Sequence, residues 1–492
     1  MSLNPSHRNA STPCLGRDKK HFAGRWGCNV LTANSRAGSM EQPAACVAAI
    51  LANSMLVNFY SHCSHCSNYY RHNCTAWTMT TAAPAVAVAV DEDVAAAAAT
   101  AAMVSWLRIH PRAPPSSLFP SSASLRHLAL FLFSLLFIMD LCEPVTAQNG
   151  WVNAVYYPNW RLYKGETPAS LQLSSVTHVL YAFIKVNTDG SLKAIDDYAD
   201  TQVPADGVKG GLAALAKMKS KNPRIRTLIS VGGGTASAEF PALAASPQAR
   251  ARFAKEIRAF VDKHQLNGVD IDWEHPSSPQ QGKDYVSLIE AVRQQLPAGR
   301  YLITSALPPG QYILRHIDLR RAAAVLDYMN LMCYDLTGPW TDVSGNHAQL
   351  QASTTLASKN PTLKVACADG ISYLLSNGFP SRKILMGIPA YARTFPAARG
   401  PGQSTKGSSE IDYKELPPEY VDRANVDDSA AAASYVDGKN GFTTFDVPRS
   451  VAIKAKFCQN KALGGLFYWT GTADRQGRQS LVLAGFNALN GR

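Results

Sequence analysis

The sequence has little charge, and its charge is not gathered into a stripe. Charged residues make up 17% of the 492 positions, with a formal net charge of +12, whereas a typical soluble protein carries about 25%. A nucleic-acid-binding surface is expected to show clustered Lys and Arg with interleaved aromatic residues, and no such cluster stands out. The composition argues against a nucleic-acid partner, and it suits loose adhesion to an acidic cell wall or matrix.

Cysteine is scarce in the C-terminal two-thirds of the chain, where only Cys333, Cys367 and Cys458 occur. Because this number is odd, at least one of them is free or pairs elsewhere, and the sequence leaves open whether a disulfide forms. Cysteine and histidine also crowd the segment 62–74, which superficially resembles a metal cluster. The spacing does not repeat as paired Cys-x-x-Cys units, so a zinc site there is disfavoured.

Regular hydrophobic periodicity is missing from residues 1–147, which we interpret as a low-complexity region outside the mature domain. An apolar stretch at 128–139 is shorter than the roughly 20 residues that a membrane-spanning helix needs. Arg126 precedes this stretch, and the small residues Val145-Thr146-Ala147 follow it. The segment 126–147 thus has the layout of a secretory signal peptide, although it is internal.

Two explanations of that internal segment remain open. The true start of the protein lies downstream, for example at Met103, or the segment is an uncleaved anchor. We favour the first explanation. In either case the remainder is expected to be exported, so we predict a secreted, extracellular protein without stable membrane association.

From Gln148 onward, short β-branched and aromatic runs alternate with amphipathic helical runs. The predicted strands are 152–157, 177–185, 225–231, 268–273, 301–306, 328–334, 384–390 and 463–469, and predicted helices include 208–220, 246–264 and 282–297. Eight such units predict an α/β fold, a (β/α)₈ TIM barrel spanning 148–492. A doubly wound sheet, the rival, would usually show a Gly-rich phosphate loop after its first strand, and none is present there. Residues 396–445 break the rhythm and predict a small α+β insertion before the last strand.

Three acids alternate with apolar residues along one predicted strand. Because successive side chains of a strand point to opposite faces, Asp270, Asp272 and Glu274 share a face, with neighbours about 6.5–7 Å apart. Carboxylates crowded on a buried face share protons, which raises some of their pKa values. A carboxyl that is still protonated near neutral pH can protonate a leaving oxygen. The alternatives are a solvated acidic edge strand and a hard-cation site.

The stretch Asn267-Gly-Val-Asp-Ile-Asp-Trp-Glu274 closely resembles the Asp-x-x-Asp-x-Asp-x-Glu signature of glycoside hydrolase family 18, the chitinases, in their fungal and bacterial form. Six further pieces resemble the family's other barrel strands in order, and they are Tyr156–Trp160, Tyr181–Phe183, Ser230–Gly233, Met332–Asp335 (sixth strand), Pro389–Arg393 (seventh strand) and Gly464–Trp469. The resemblance covers residues 151 to about 475.

The resemblance implies substrate-assisted, retaining hydrolysis of β-1,4-linked N-acetylglucosamine. Glu274 would protonate the glycosidic oxygen while the substrate's own N-acetyl oxygen attacks the anomeric carbon. Asp272 would orient the acetamido N–H and stabilise the developing positive charge. Asp270 would share a proton with Asp272, and Tyr334 would hydrogen-bond the acetamido oxygen.

The resemblance also implies a set of substrate-binding residues, namely Tyr156, Phe183, Ser230, Met332, Asp335, Trp340, Arg393 and Trp469. Trp469 would form the apolar floor under the distorted sugar, and Trp340 would be a platform on the leaving-group side. No metal or organic cofactor is implied. The expected partner is chitin or a chito-oligosaccharide, bound by a monomer.

Three positions depart from the family's usual pattern. Asn267 replaces the first Asp of the signature, for which we expect altered proton sharing rather than inactivity. Gly234 stands where many chitinases have Trp, so binding of long chains on the leaving-group side should be weaker. His275 follows the acid where Tyr is common, and it could add a charge below about pH 6.5.

Three other functions remain as alternatives. A non-hydrolytic chitin-binding lectin on the same fold would typically lose the terminal Glu, which this chain keeps as Glu274. An endo-β-N-acetylglucosaminidase acting on N-glycans would share the acids and differ in the shape of its groove. A membrane-anchored scaffold would use residues 128–141 and would have no need of the acidic strand.

Overall fold

Residues 150–492 are the part of the chain that the computed structural model describes. The signal-peptide-like segment 126–147 and the Cys- and His-rich segment 62–74 lie outside the described residues. Within residues 150–492, no helix is both long enough and apolar enough to cross a membrane.

Parallel strands close on themselves to form the centre of the fold. The barrel strands are β1 Val152–Pro158, β2 His178–Val186, β6 Arg226–Gly232, β7 Gly268–Asp272, β8 Leu302–Leu307, β9 Tyr328–Leu331, β10 Ile384–Pro389 and β16 Gly465–Trp469. Neighbours pair in the order β1, β16, β10, β9, β8, β7, β6, β2, and β1 also pairs with β2. This closure confirms the predicted (β/α)₈ barrel.

Shorter strands and a set of helices connect the barrel strands. The remaining strands are β3 Leu192–Ala194, β4 Pro204–Ala205, β5 Val208–Lys209, β11 Tyr391–Phe395, β12 Ser409–Asp412, β13 Asn425–Asp427, β14 Ala432–Asp437 and β15 Gly441–Phe445. The α-helices are α1 Asp197–Thr201, α2 Gly211–Lys221, α3 Phe240–Ala245, α4 Pro247–Lys263, α5 Pro279–Gln295, α6 Gln311–Leu314, α7 Leu319–Val325, α8 Thr354–Lys359, α9 Cys367–Ser376, α10 Pro418–Asp422, α11 Pro448–Asn460 and α12 Leu481–Leu489.

Helix α4 shows how the local sequence specifies an outer helix. The side chain of Ser246 accepts a hydrogen bond from the backbone N–H of Ala249, and Pro247 occupies the first helical position, where its missing N–H costs nothing. Phe253, Ile257 and Val261 recur every four residues and are fully buried. The predicted helix 246–264 is therefore confirmed almost to the residue.

The inserted domain begins earlier than the predicted bound at residue 396. Strand β10 ends at Pro389, and the chain then enters β11, which pairs antiparallel with β12 and β15 of a separate five-stranded sheet. The assignment of Pro389–Arg393 to the seventh barrel strand is therefore wrong for Tyr391–Arg393, which belong to the inserted sheet. The apolar run continues through Ala390, so the sequence shows no break where the chain leaves one sheet for another.

A buried ion pair joins helix α11 to Asp446, the residue that follows β15. Lys454 on α11 donates to both carboxylate oxygens of Asp446, at 2.8 and 2.6 Å, and to the carbonyl oxygen of Ala348 at 2.7 Å. The two charged side chains are 1% and 0% exposed. Removing one partner from such a pair leaves the other charge buried without compensation.

We expect Lys454→Met to lower the free energy of unfolding by about 3–5 kcal/mol, because Asp446 would remain buried and unpaired. The double variant Asp446→Leu/Lys454→Met should recover much of that loss. Arg321→Met breaks the exposed ion pair with Glu290 and should cost less than about 1 kcal/mol. Urea denaturation followed by circular dichroism measures all three, and an equal loss for Lys454→Met and Arg321→Met would contradict the prediction.

Candidate active site

A cavity of about 690 Å³ opens at the carboxyl ends of the barrel strands. Every predicted site residue except Asp270 and Ser230 lines it. Those two lie directly below, fully buried, and the Ser230 hydroxyl donates to Asp270 at 2.7 Å. The structure thus brings all the predicted residues into one site, in two layers.

Asp270 forms the lower layer of this site. Its carboxylate accepts hydrogen bonds from side chains on four other barrel strands, namely Tyr156 at 2.8 Å, Ser230 at 2.7 Å, Thr304 at 2.6 Å and Asn330 at 3.1 Å. Burial raises the pKa of Asp270, while the hydrogen bonds oppose that rise. These four donors stabilise a negative charge in the centre of the barrel.

Asp272 lies two residues after Asp270 on β7, nearer the cavity, and has a different environment. Burial, followed by the charges of Glu274 and Asp270, raises its pKa well above the ordinary value. Its Oδ1 atom is buried and makes no hydrogen bond to any residue of the described range. A carboxyl without donors between two other acids is the member of the group that takes up a shared proton.

Glu274 follows the end of β7 and reaches the cavity. Burial, with a smaller contribution from the charge of Asp335, raises its pKa to about 7. Its backbone N–H donates to the Ser237 hydroxyl at 2.9 Å, and that hydroxyl lies 3.2 Å from the carbonyl oxygen of Asp272. The Glu274 backbone is thus held in place, and a large fraction of its carboxyl groups remains protonated near neutral pH, which suits a general acid.

Asp335 faces these acids as a carboxylate that stays charged. Its Oδ1 accepts hydrogen bonds from the Tyr391 hydroxyl and from Arg393 Nε, both at 2.7 Å, and His347 Nδ1 lies 3.7 Å away. Burial alone would raise the pKa of Asp335, but His347 and Arg393 outweigh burial and lower it. The site therefore contains a fixed negative charge that helps keep Glu274 protonated.

Aromatic rings form the floor and one wall of the cavity. Trp469 stacks on Phe183 with ring centroids 5.5 Å apart, and Tyr156 and Trp469 pack edge to face with their centroids 5.4 Å apart. Trp340 is 58% exposed and lies under the guanidinium of Arg393, 4.9 Å from the ring centroid. Such flat apolar faces suit the C–H faces of a sugar ring.

The three departures from the usual pattern lie at different distances from the acid. Asn267 accepts a hydrogen bond from the backbone of Thr227 at 3.0 Å, at the opposite end of β7, so it takes no part in the carboxylate network. A Cβ at Gly234 would lie 3.6 Å from Glu274 Oε2, so this position borders the acid directly. Burial lowers the pKa of His275, and its positive charge appears only at lower pH than the sequence suggested.

Several residues of the site were missed by the sequence reasoning. Those lining the cavity or supporting it are Thr235, Ser237, Thr304, Tyr312, Asn330, His347, Tyr391 and Glu410. Strand alternation could have found Thr304 and Asn330, because they are inward-facing polar residues on buried strands. His347 and Glu410 lie far from any barrel strand in sequence, and no local pattern marks them.

Comparisons with known proteins agree with this geometry. The family model for Glycosyl hydrolases family 18 matches residues 152–474. Chitinase 1 of Aphanocladium album is 30% identical over 384 residues, 72% of this chain and 90% of that protein. Endochitinase 1 of Metarhizium robertsii is 31% identical over 386 residues, with the same coverage of 72% and 90%. The Ostrinia furnacalis group IV chitinase in complex with allosamidin superposes with a TM-score of 0.63 at 25% identity, covering 70% of this chain and 99% of that chain.

The charge of Asp335 can be tested through the titration of Glu274. In Asp335→Asn that charge is absent, so we expect the pKa of the Glu274 carboxyl to fall below the value of about 7. Glu410→Gln, which also removes a carboxylate near Arg393, should leave that pKa nearly unchanged. Infrared difference spectra of each protein against its Glu274→Gln counterpart report the titration, and an unchanged pKa in Asp335→Asn would refute the coupling.

Proposed function

The chain belongs to glycosyl hydrolase family 18 and is a chitinase, and we propose that it cuts β-1,4 linkages of N-acetylglucosamine polymers and oligomers by a substrate-assisted, retaining mechanism. The observation that carries this mechanism is the pair of acids at the end of β7. Glu274 has its pKa raised to about 7, so it can donate a proton. Asp272 lies beside it with a buried oxygen that makes no bond to a described residue.

In the first step Glu274 transfers its proton to the glycosidic oxygen, and the bond from that oxygen to the anomeric carbon breaks. The carbonyl oxygen of the substrate's N-acetyl group forms the new bond to the anomeric carbon, which gives an oxazolinium ion and releases the leaving sugar. In the second step the Glu274 carboxylate takes a proton from water, and the water oxygen bonds to the anomeric carbon while the bond from that carbon to the acetamido oxygen breaks. Two inversions at one carbon retain the β configuration.

Asp272 and Asp270 stabilise the charge that develops during these steps. The Oδ1 atom of Asp272, which has no donor among residues 150–492, accepts the acetamido N–H, which orients the carbonyl oxygen toward the anomeric carbon. As positive charge forms on the oxazolinium ion, a proton shared between Asp272 and Asp270 moves toward Asp270, and Asp272 gains negative charge. Tyr334 hydrogen-bonds the acetamido oxygen, and Asp335 holds the distorted sugar.

The aromatic rings place the substrate on both sides of the cleaved bond. Trp469, with Phe183 and Tyr156 around it, forms the floor under the sugar that carries the reacting carbon. Trp340, backed by Arg393, forms a platform for the leaving sugar. Because Gly234 provides no ring on that side, Trp340 carries more of the binding there than it would beside a second aromatic platform.

The two other activities on this fold are less well supported. A lectin would have no use for a carboxyl with its pKa near 7 beside an unpaired acid. The relatives named chitinase and endochitinase favour chitin over N-glycans. We also propose that the protein is secreted, since the buried disulfide between Cys333 and Cys367 suits an oxidising compartment, and that it acts as a monomer.

The acid role of Glu274 predicts a clear separation of binding from turnover. Glu274→Gln keeps the shape of the side chain and replaces the acidic proton of the carboxyl by amide protons that are not acidic enough to be transferred, so hydrolysis of chitohexaose should fall by about a thousandfold or more, while the hexamer still binds. Calorimetry measures binding and chromatography measures products, with Glu256→Gln on the exposed face of α4 as the matched control. In the wild type, the first products should be β-anomers, and α-anomers would refute the substrate-assisted mechanism.

The platform role of Trp340 predicts an effect that depends on chain length. Trp340→Ala should raise the KM for chitohexaose roughly 2- to 12-fold, corresponding to the loss of about 0.5–1.5 kcal/mol of ring packing. Substrates with a small aromatic leaving group in place of sugars should be affected less, and Trp340→Phe should restore most of the affinity. An equal effect on both kinds of substrate would contradict the assignment of Trp340 to the leaving-group side.

A further inference from the structure

A disulfide lies inside the segment that carries two of the site residues. Cys333 stands between Met332 and Tyr334, both of which line the cavity. It is bonded to Cys367, the first residue of α9, with 5.0 Å between the two Cα atoms. Both cysteines are buried, at 1% and 0% exposed.

The backbone of this segment has an unfavourable conformation. Strand β9 ends at Leu331 rather than at the predicted residue 334, and the chain then turns so that Asp335 has a φ of +57°. A residue other than glycine in this left-handed region costs of order 1 kcal/mol or more, and the conformation persists only where its surroundings enforce it. The turn brings Asp335 into the lining of the cavity that Glu274 also lines, and the charge of Asp335 raises the pKa of Glu274.

The turn is tied down on both sides. After Asp335, the N–H of Leu336 donates to the carbonyl oxygen of His347 at 3.0 Å. Before it, the disulfide joins Cys333 to the start of α9. The N–H groups of Met332 and Cys333 donate to the carbonyl oxygens of Leu307 and Leu331, which are barrel residues. Within residues 150–492 these two bonds do not reach α9, so the disulfide joins this side of the turn to that helix.

The disulfide and the hydrogen bond from Leu336 to His347 are linked through residues 347–350. The N–H groups of Cys367 and Ala368 donate to the carbonyl oxygens of Gln349 and Leu350, at 3.2 and 2.9 Å. Residues 347–350 therefore connect the His347 contact to the same end of α9 that holds the disulfide. The ammonium group of Lys454 also holds this stretch, since it donates a hydrogen bond to the carbonyl oxygen of Ala348 at 2.7 Å.

We propose that Cys333 and Cys367 are positioning residues for the reaction, because their bond holds Tyr334 and Asp335 in the turn that faces Glu274. This inference rests on the proposed function. A disulfide also stabilises a fold by restricting the unfolded chain, but that effect alone would leave the chemistry of the folded enzyme unchanged. Loss of the bond should instead misplace the acetamido contact of Tyr334 and move the Asp335 charge away from the acid.

The test compares Cys333→Ala/Cys367→Ala with Cys458→Ala. Cys458 is also fully buried, on α11, and is unpaired within residues 150–492, so this control removes a core thiol without touching the turn. Steady-state kinetics on chitohexaose are measured well below the melting temperature of each variant, over a range of pH. Peptide mapping without reductant first establishes that the Cys333 and Cys367 peptides are joined in the wild type, and separate peptides would overturn the proposal.

For the double variant we expect kcat to fall about tenfold or more, with KM changed less than about threefold, since small misplacements cost turnover more than affinity. The alkaline limb of kcat/KM should also move to lower pH, because Glu274 loses part of the nearby negative charge that favours its protonated form. Cys458→Ala should show neither effect. In an Asp335→Asn background the shift of the limb caused by the double variant should disappear.

A double variant that melts at lower temperature but keeps the wild-type kcat and pH profile would overturn the proposal, because the disulfide would then only stabilise the fold. If the double variant does not fold, wild-type enzyme incubated with a phosphine reductant provides the same comparison, since water and the phosphine convert the bond to two thiols and a phosphine oxide. Unchanged kinetics after that reduction would overturn the proposal equally. If the wild type itself does not cut chitohexaose, the proposed function fails, and this inference fails with it.

Discussion

Crowding of carboxyl groups on one buried strand is the constraint from which the rest of the site follows. Asp270, Asp272 and Glu274 lie too close together in a medium of low dielectric for all three to be charged. The barrel resolves this by giving them different surroundings. Asp270 receives four donors from other strands, Asp272 receives none from the described chain, and Glu274 stands where the barrel opens into the cavity.

Closure of the barrel makes that division possible. Donors to Asp270 come from β1, β6, β8 and β9, which are far apart in sequence and meet only because the sheet curves into a cylinder. An open sheet would bring the two neighbouring strands to Asp270 and leave the far side to solvent. The same closure brings Trp469 on β16 against Phe183 on β2, so the acids and the aromatic floor share one geometric origin.

The inserted sheet contributes charge as well as a wall. Arg393 on β11 keeps Asp335 ionised and lies over Trp340, and Tyr391 on the same strand donates to Asp335. The Asp335 charge in turn helps hold the proton on Glu274. The acid thus depends on a residue of a second sheet, because His347 and Arg393 together outweigh the effect of burial and lower the pKa of the Asp335 carboxyl.

The sequence by itself determined the barrel and the acids, because both depend on local alternation. Hydrophobic period and strand alternation located the barrel strands and placed Asp270, Asp272 and Glu274 on one face. Only the tertiary structure decided which acid keeps its charge, that Arg393 belongs to the inserted sheet, that His347 approaches Asp335, and that Cys333 pairs with Cys367 rather than with Cys458. Each of these depends on contacts between residues distant in the chain, where burial, charge and distance act together and no local pattern reports them.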